Sequence, residues 1–262
     1  MCIADLGDCR TYYQLEGPTA GPLLVLSNSL GTDMTMWDAQ IPAFLRSCRV
    51  LRYDTRGHGK SSVPPGPYSI EQLAKDVIRL LDFLNEGNAY FCGLSMGGQI
   101  GMWLGLHHSD RVRRLVLCNT SARIGTPELW RSRIEAVRHG GVQAIAGDVV
   151  ARWFSLEFRS EQPEIVHSFE HLLAATSARG YVACCKAIRD ADLRTSISAI
   201  RIPTAIVSGT HDPATTPVEA RYLAQQISGA EYIELPAAHL SNIECSAKFT
   251  KEVSRFLGIT SS

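Results

Sequence analysis

The most informative stretch of this chain reads Gly93-Leu94-Ser95-Met96-Gly97-Gly98. It joins a short apolar run over residues 89–92 to a helix-like stretch over residues 96–107. A Gly-x-Ser-x-Gly pattern in that position is typical of a tight turn from a strand into a helix, because the glycines leave room for the backbone. Such a turn projects the serine hydroxyl above the end of the sheet. Ser95 is therefore the candidate nucleophile.

The whole chain has the size and composition of one large domain with an insertion. Its 262 residues are 45% hydrophobic, which is enough for a sizeable core. Lysine plus arginine and aspartate plus glutamate number 26 each, so no net positive field attracts a polyanion. We therefore expect no nucleic acid partner.

The sequence contains no pattern for export or for membrane insertion. Residues 1–8 include two acids and no basic region, and no run approaches the roughly 18 apolar residues that a membrane span needs. The eight cysteines form no Cys-x-x-Cys pair, which favours reduced thiols over disulfides or a metal site. We therefore expect a cytoplasmic protein without membrane contact.

Strand and helix patterns alternate through the first part of the chain. The continuous apolar run 23–26 is typical of a strand buried on both faces, and further strand patterns follow at 49–53, 89–92 and 114–118. Ser69 opens a capping-box pattern before an amphipathic helix. The alternation predicts an α/β fold, with a mostly parallel sheet of eight strands flanked by helices and joined by right-handed crossovers.

Residues 121–200 carry no convincing strand pattern. Helix patterns recur there instead, at residues 126–140, 142–154, 162–175 and 178–190. We interpret this segment as a helical cap inserted over the strand ends. The core of the fold then consists of two parts, residues 1–120 and residues 201–262.

A serine hydroxyl becomes an effective nucleophile when a base removes its proton and a third group orients that base. Asp212 follows a strand pattern at 204–207, and His239 follows the last strand pattern, at 232–235. Parallel strands end at one edge of the sheet, where ligands bind in open α/β folds. The chain order serine, acid, histidine is also the usual one for a Gly-x-Ser-x-Gly turn. We predict that Ser95, Asp212 and His239 form a catalytic triad.

Other acids and histidines compete for these roles. Asp190 and Asp192 are the alternatives to Asp212 as the orienting acid. His211 precedes the well-placed acid, which reverses the expected order, and His58 lies in a turn between glycines ahead of the serine. The remaining histidines lie in or at the ends of helix patterns, where a packed or solvated histidine is usual.

Acyl transfer also requires N–H donors that face the developing oxyanion. The amide of Met96 is one, because it follows the serine directly and opens a helix. The second donor is expected from the polar turn 27–31, which follows the strand pattern at 23–26. We predict the N–H of Leu30 as this donor, with the neighbouring Ser29 as the alternative.

Five segments together carry a family resemblance: residues 26–31, 52–59, 92–98, 119–125 and 239–244. The Arg-Gly-His-Gly and Ser-Met-Gly-Gly elements within them are shared by many hydrolases that use no cofactor. More specific are Ser-Asn-Ser-Leu-Gly at 27–31, where most relatives carry His-Gly, and the segment 119–125. On these residues the chain resembles the α/β-hydrolases over nearly its full length. Within that group it most resembles the 3-oxoadipate enol-lactonases of bacterial aromatic catabolism.

The resemblance implies a substrate and a mechanism. The substrate would be a small five-membered enol lactone with an acetate arm, opened to 3-oxoadipate through an acyl-enzyme on Ser95, in the β-ketoadipate pathway. The chemistry would need no metal and no cofactor. The carboxylate of the arm calls for a donor in a mostly apolar pocket. The residues that we expect to contact the substrate are Ser29, Arg123 and Trp130, with Arg133 and Arg152 as alternatives.

Two other functions fit the same motifs. A broad-specificity carboxylesterase or a cofactor-free perhydrolase would use the same triad, and a ligand-binding receptor could retain the fold without turnover. A haloalkane dehalogenase is disfavoured, because its nucleophile would be an aspartate in place of Ser95. The sequence leaves open the oligomeric state and any association with a separate decarboxylase.

Overall fold

The computed structural model describes residues 2–259 and contains one sheet of eight strands. The strands are β1 (Cys2–Asp5), β2 (Arg10–Glu16), β3 (Leu23–Ser27), β4 (Arg49–Tyr53), β5 (Ala89–Leu94), β6 (Val112–Cys118), β7 (Thr204–Gly209) and β8 (Glu231–Leu235). Their order across the sheet is β1-β2-β4-β3-β5-β6-β7-β8. Both pairings of β2 are antiparallel, and the pairings from β4 through to β8 are parallel. The prediction of a mostly parallel sheet is confirmed.

The helices connect these strands. They are α1 (Ile41–Phe44), α2 (Ile70–Phe83), α3 (Met96–His107), α4 (Pro127–Gly140), α5 (Ala146–Val150), α6 (Leu156–Glu161), α7 (Pro163–Ala174), α8 (Ala178–Asp190), α9 (Pro217–Gln226), α10 (Ser241–Glu244) and α11 (Ser246–Leu257). Short 3-10 turns lie at Met34–Trp37, Val142–Ala144 and Ile197–Ala199. Within residues 2–259, none of the helices is long and apolar enough to cross a membrane.

The central strands form the middle of the core. Every residue of β3 and of β7 is buried, as expected for parallel strands that are covered by helices on both faces. Helix α3 packs on β5 and β6, and α9 packs on β7 and β8. The carboxyl ends of these parallel strands therefore lie along a single edge, and the loops that leave them are neighbours.

Helix α2 begins where the sequence predicts, but its capping box is only half formed. Ser69 Oγ accepts a hydrogen bond from Gln72 N at 3.1 Å. The side-chain amide of Gln72 lies 3.4 Å from the carboxylate of Asp8. It therefore does not bond the backbone N–H of Ser69, as a complete capping box requires. The buried positions Leu73 and Val77 attach the helix to the sheet.

The described chain between β6 and β7 forms helices and turns without a strand. Helix α4 packs against α8, and α5 packs against α7. We refer to residues 121–200 as the cap segment. Its separation from a two-part core, residues 1–120 and 201–262, stays a prediction.

One helix of the cap segment was predicted too long. The pattern at 142–154 forms a 3-10 turn and the short helix α5, which ends at Val150. After Val150 the amides of Arg152 and Trp153 donate to the carbonyls three residues back, at 3.1 and 2.9 Å, and the carbonyl of Trp153 accepts a hydrogen bond from Leu240 N at 2.9 Å. Ser155 then caps the additional helix α6, its Oγ accepting from Phe158 N at 3.2 Å. The segment between α5 and α6 thus contacts a part of the chain that is distant in sequence, where the pattern predicts a continuous helix.

The eight cysteines lie within residues 2–259 and are free thiols. Cys92 and Cys118 are neighbours on β5 and β6, with their sulfur atoms 3.7 Å apart. Burial raises the pKa of the Cys185 thiol to about 12, which disfavours a reactive thiolate. The buried cysteines therefore act as small apolar side chains of the core.

Candidate active site

Ser95 lies in a strained turn between β5 and α3. Its φ of 58° falls in the left-handed region, which costs a non-glycine residue about 1–3 kcal/mol. Ser95 N donates a hydrogen bond to Cys118 O at 2.9 Å, which ties the turn to the neighbouring strand. A Cβ atom at Gly93 would lie 2.1 Å from Gly97 O, and one at Gly97 would lie 2.3 Å from Ser27 O. The turn therefore requires both glycines of the motif.

Asp212 and His239 form a buried hydrogen-bonded pair. They follow the adjacent strands β7 and β8, and His239 Nδ1 lies 2.8 Å from Asp212 Oδ2. Each residue is only 3% exposed. A carboxylate offers acceptors only, so Nδ1 of His239 carries the hydrogen and Nε2 is the nitrogen left to act as a base.

Four further donors surround the carboxylate of Asp212. Thr215 Oγ1 and Asn119 Nδ2 donate to Oδ2 at 2.8 and 3.0 Å, and the amides of Ala214 and Thr215 donate to Oδ1 at 2.8 and 3.1 Å. Burial by itself raises the pKa of Asp212, but His239 and these donors outweigh it and hold the pKa below its usual range. The aspartate is thus ionised and able to stabilise a protonated imidazole.

Asn119 belongs to this site, although the sequence analysis assigned it no role there. It follows β6 directly, with φ at 43°. Its Nδ2 donates to Ala238 O at 3.1 Å as well as to Asp212, and its Oδ1 accepts from Ser241 Oγ. Asn119 therefore joins the ends of three strands around the carboxylate. A polar residue at the carboxyl end of a buried strand is the sequence signal that could have identified it.

Ser95 and His239 line one cavity of ≈ 190 Å³, which lies under the cap segment. Most of its wall is apolar. The apolar lining comes mainly from Ile124, Leu129, Trp130, Val149, Trp153 and Ile188. The polar lining comes from Ser29 and Tyr181 and from two arginines, Arg133 and Arg152. The cavity is therefore suited to a small, mostly apolar molecule with at least one polar group.

Two backbone amides near Ser95 make no hydrogen bond to any residue between 2 and 259: those of Leu30 and Met96. The amides on either side of Leu30 are both engaged. Ser29 N donates to a methionine sulfur at 3.4 Å, and Gly31 N donates to His58 Nε2 at 3.0 Å. Leu30 also lines the cavity. Its amide, rather than that of Ser29, is thus available to an oxyanion.

The competing acids and histidines do not line the cavity. Asp190 and Asp192 form ion pairs with arginines at the surface. His211 is exposed, and His58 is buried beneath the loop that follows β3. Of the alternatives considered from the sequence, only Asp212 and His239 are brought together beside Ser95.

Two of the three residues expected to contact a substrate line the cavity, namely Ser29 and Trp130. Trp130 Nε1 donates to Ile124 O at 2.6 Å, so the indole offers a ligand its ring rather than its N–H. Arg123, in contrast, does not line the cavity. Its guanidinium lies 3.5 Å from the Asp192 carboxylate in a separate surface groove, and this ion pair corrects the expectation from the sequence.

The match to a known family covers more than half of this chain. Residues 22–161 fit the family model described as the α/β hydrolase fold. The chain belongs to the α/β-hydrolase family. The matched range includes the turn that carries Ser95, and the fold predicted from the sequence is confirmed.

Among α/β-hydrolases, the chain is similar to two enzymes of Acinetobacter baylyi. It is 42% identical to 3-oxoadipate enol-lactonase 2, over 94% of this chain and 92% of that protein. It is 39% identical to 3-oxoadipate enol-lactonase 1, over 93% of this chain and 91% of that protein. The crystal structure of the enol-lactonase from Burkholderia xenovorans LB400 superposes with a TM-score of 0.97 at 46% identity, covering 98% of this chain and 100% of that one. The resemblance inferred from the sequence is confirmed.

Proposed function

We propose that this protein is a serine hydrolase that opens 3-oxoadipate enol-lactone to 3-oxoadipate in the β-ketoadipate pathway. The observation that carries the proposal is the presence of Ser95 and His239 on one cavity wall in a chain 42% identical to a 3-oxoadipate enol-lactonase. The substrate is a small lactone that bears a carboxylate arm. A cytoplasmic location stays a prediction of the sequence.

The first chemical step forms a tetrahedral adduct on Ser95, and the collapse of that adduct in the next step gives the acyl-enzyme. Ser95 Oγ attacks the carbonyl carbon of the ring while Nε2 of His239 accepts the serine proton, and Asp212 stabilises the resulting imidazolium. The negative charge that develops on the carbonyl oxygen is met by the N–H groups of Leu30 and Met96. A donor in such a position lowers the barrier by about 3 kcal/mol.

The second step breaks the ring. The bond between the carbonyl carbon and the ring oxygen cleaves, the leaving group departs as an enolate, and His239 returns the proton to it, which gives a ketone on the acyl chain. An enolate delocalises its charge, so it departs more easily than the alkoxide of a simple alkyl ester. Water that His239 deprotonates then attacks the ester carbonyl, and release of Ser95 completes the cycle.

The size of the cavity supports a small ring rather than a long acyl chain. Its ≈ 190 Å³ is below the roughly 300–1,000 Å³ that is usual for pockets of drug-sized ligands. The apolar wall suits the carbon skeleton of a five-membered lactone. The cap segment limits extension of a longer chain, because Trp130, Trp153 and Ile188 close the cavity from that side.

The proposal is tested by following the loss of ultraviolet absorbance of the enol lactone with three proteins. Wild type should turn it over, and Ser95→Ala should lose at least about 10⁴-fold in kcat/KM. Ser132→Ala is the matched control, because this serine is exposed on α4, and it should keep wild-type activity. A strong preference of the wild type for simple aryl esters would indicate a broad carboxylesterase instead. A ligand response that Ser95→Ala retains would indicate a receptor, and either result overturns the proposal.

A further inference from the structure

Two guanidinium groups line the cavity without an acidic partner. Arg133 on α4 and Arg152 beyond α5 are both half-buried, and neither forms an ion pair with any acid of residues 2–259. Their neighbours behave differently. Arg131 and Arg138, on the same helix as Arg133, each pair with a glutamate one turn away. Arg133 and Arg152 thus lack the acidic partner that the outward-facing arginines of α4 have.

The charges of these two arginines act against each other. Burial lowers the pKa of Arg152, and the positive charge of Arg133 lowers it further. Like charges that share a low-dielectric cavity are unfavourable unless an anion joins them. The cavity is therefore prepared electrostatically for a negatively charged ligand.

A third polar group lies in the same wall, beside Arg133. The hydroxyl of Tyr181 is buried, forms no well-aligned hydrogen bond to residues 2–259 and is close enough to the Arg133 guanidinium to be influenced by its charge. Burial raises its pKa well above the usual range, so the group stays a neutral hydroxyl that can donate. A Cβ atom at Gly31 would lie 3.1 Å from Cε2 of Tyr181, which places this ring beside the loop that carries Leu30. A buried polar group without a partner is costly, and a ligand atom at this point would remove that cost.

The guanidinium of Arg133 lies over an aromatic ring. Its Cζ lies 4.8 Å from the centroid of the Trp130 ring, a cation–π distance, and the indole is itself held by its hydrogen bond to Ile124 O. A guanidinium carries its N–H donors in a planar fork. That arrangement suits the two oxygens of a carboxylate.

From these observations we infer that Arg133, Arg152 and the hydroxyl of Tyr181 form the subsite that binds the carboxylate arm of the substrate. This inference rests on the proposed lactone-hydrolase function. The remaining wall is apolar and receives the ring, while Ser95 and His239 meet the ring carbonyl. A neutral ester fills the same cavity but leaves the two cations uncompensated. The subsite thus selects for anionic lactones.

The test compares two lactones that differ only in the arm: 3-oxoadipate enol-lactone, and the same ring with a methyl group in place of the acetate. Arg133→Gln, Arg152→Gln and Tyr181→Phe are each measured on both. Each arginine variant should lose about 10- to 100-fold in kcat/KM on the anionic lactone, mainly through KM, as expected for lost charge-assisted hydrogen bonds. Activity on the methyl lactone should stay within a few fold. Arg133→Lys keeps the positive charge but cannot donate two parallel hydrogen bonds to a carboxylate. Its kcat/KM on the anionic lactone should therefore lie between those of wild type and Arg133→Gln.

Arg131→Gln is the matched control, since it removes an exposed arginine from the same helix, and it should leave both substrates unaffected. Equal losses on the two lactones would show that the arginines serve only to hold the cap segment in place, and would overturn the inference.

Binding of adipate, measured by calorimetry, tests the subsite independently of turnover. If wild type failed to hydrolyse the anionic lactone, the proposed function would be wrong. Equal adipate affinities in wild type and the double arginine variant would refute the subsite itself.

Discussion

The backbone N–H of Gly31 donates a hydrogen bond to Nε2 of His58 at 3.0 Å. This bond requires His58 to be neutral at Nε2, and burial ensures that it is, because it lowers the pKa of His58 to about 4. Nδ1 lies 3.4 Å from Arg56 O and carries the hydrogen. The bond holds the residue next to Leu30 in place. His58 therefore positions the loop that carries the free amide of Leu30, a residue that lines the cavity.

Loss of this bond should reduce the rate of the chemical step. His58→Ala removes the acceptor, and the amide of Leu30 is then no longer held where the oxyanion develops. We expect kcat to fall about 10- to 100-fold with KM little changed, because one oxyanion donor contributes about 3 kcal/mol when fully lost. His58→Gln retains an acceptor oxygen and should recover part of kcat. The exposed His167, changed to Ala, serves as control. A change confined to KM would contradict this role.

The same histidine predicts a pH dependence of stability. Its folded pKa of about 4 is below its ordinary value of 6.5, so the unfolded chain binds more protons between these two values. The free energy of unfolding should therefore fall as pH is lowered from 6.5 to 4, by up to about 3 kcal/mol from this group. Denaturant titration of wild type and His58→Gln at pH 7 and pH 4.5 measures it. The variant should lose less stability than wild type, and parallel losses would show that His58 does not titrate as described.

Asn119 offers a prediction about Asp212, the acid of the proposed triad. Asn119→Asp keeps the shape but places a second negative charge beside Asp212, which favours protonated forms in the site. We expect the acidic limb of the pH–rate profile to move to higher pH and kcat at neutral pH to fall. Asn119→Gly removes the side chain while tolerating the positive φ of 43°, and should lower kcat by about 10-fold without that shift. An unshifted profile in the aspartate variant would argue against electrostatic coupling.

The sequence predicted those parts of the site that local patterns encode. Ser95 lies in a turn whose glycines are required because backbone atoms approach closely, and Asp212 and His239 lie in the loops that follow β7 and β8, as the local patterns predict. Asn119 also follows a strand, but its role depends on contacts with Asp212 and Ala238, which lie far along the chain. Arg123 was preferred to Arg133 because periodicity does not reveal that Asp192, far along the chain, holds its guanidinium outside the cavity.

The fold, like the site, was predictable from the sequence only in part. The mostly parallel sheet was predicted from alternating strand and helix patterns. Each pattern depends only on which residues of a single strand or helix are buried, so it is visible in the local sequence. The break after α5 was not predicted, because the helix pattern continues to residue 154, whereas Trp153 O accepts a hydrogen bond from Leu240 N, a residue distant in sequence. A side-chain contact also decides which of two neighbouring amides is free. Ser29 N donates to the sulfur of Met36, seven residues along the chain, whereas the amide of Leu30 has no acceptor among residues 2–259.

A close approach between the cap segment and the core gives the last prediction. Gly180 lies in α8, where alanine is ordinarily favoured by about 1 kcal/mol through helix propensity. A Cβ atom there would lie 2.2 Å from Gly57 O, a backbone atom that cannot rotate away. We expect Gly180→Ala to lower the free energy of unfolding by about 1–3 kcal/mol, as overpacking does, despite the better propensity.

The same substitution should also affect catalysis. Tyr181 follows Gly180 directly and lines the cavity, so displacement of α8 from Gly57 should lower kcat/KM on the lactone. Gly87→Ala is the control, because a Cβ atom there meets nothing within 4 Å and its φ is not positive. Thermal unfolding and lactone turnover are measured on both variants. A stabilised, fully active Gly180→Ala protein would mean that α8 does not pack on the core as closely as the backbone contact with Gly57 requires.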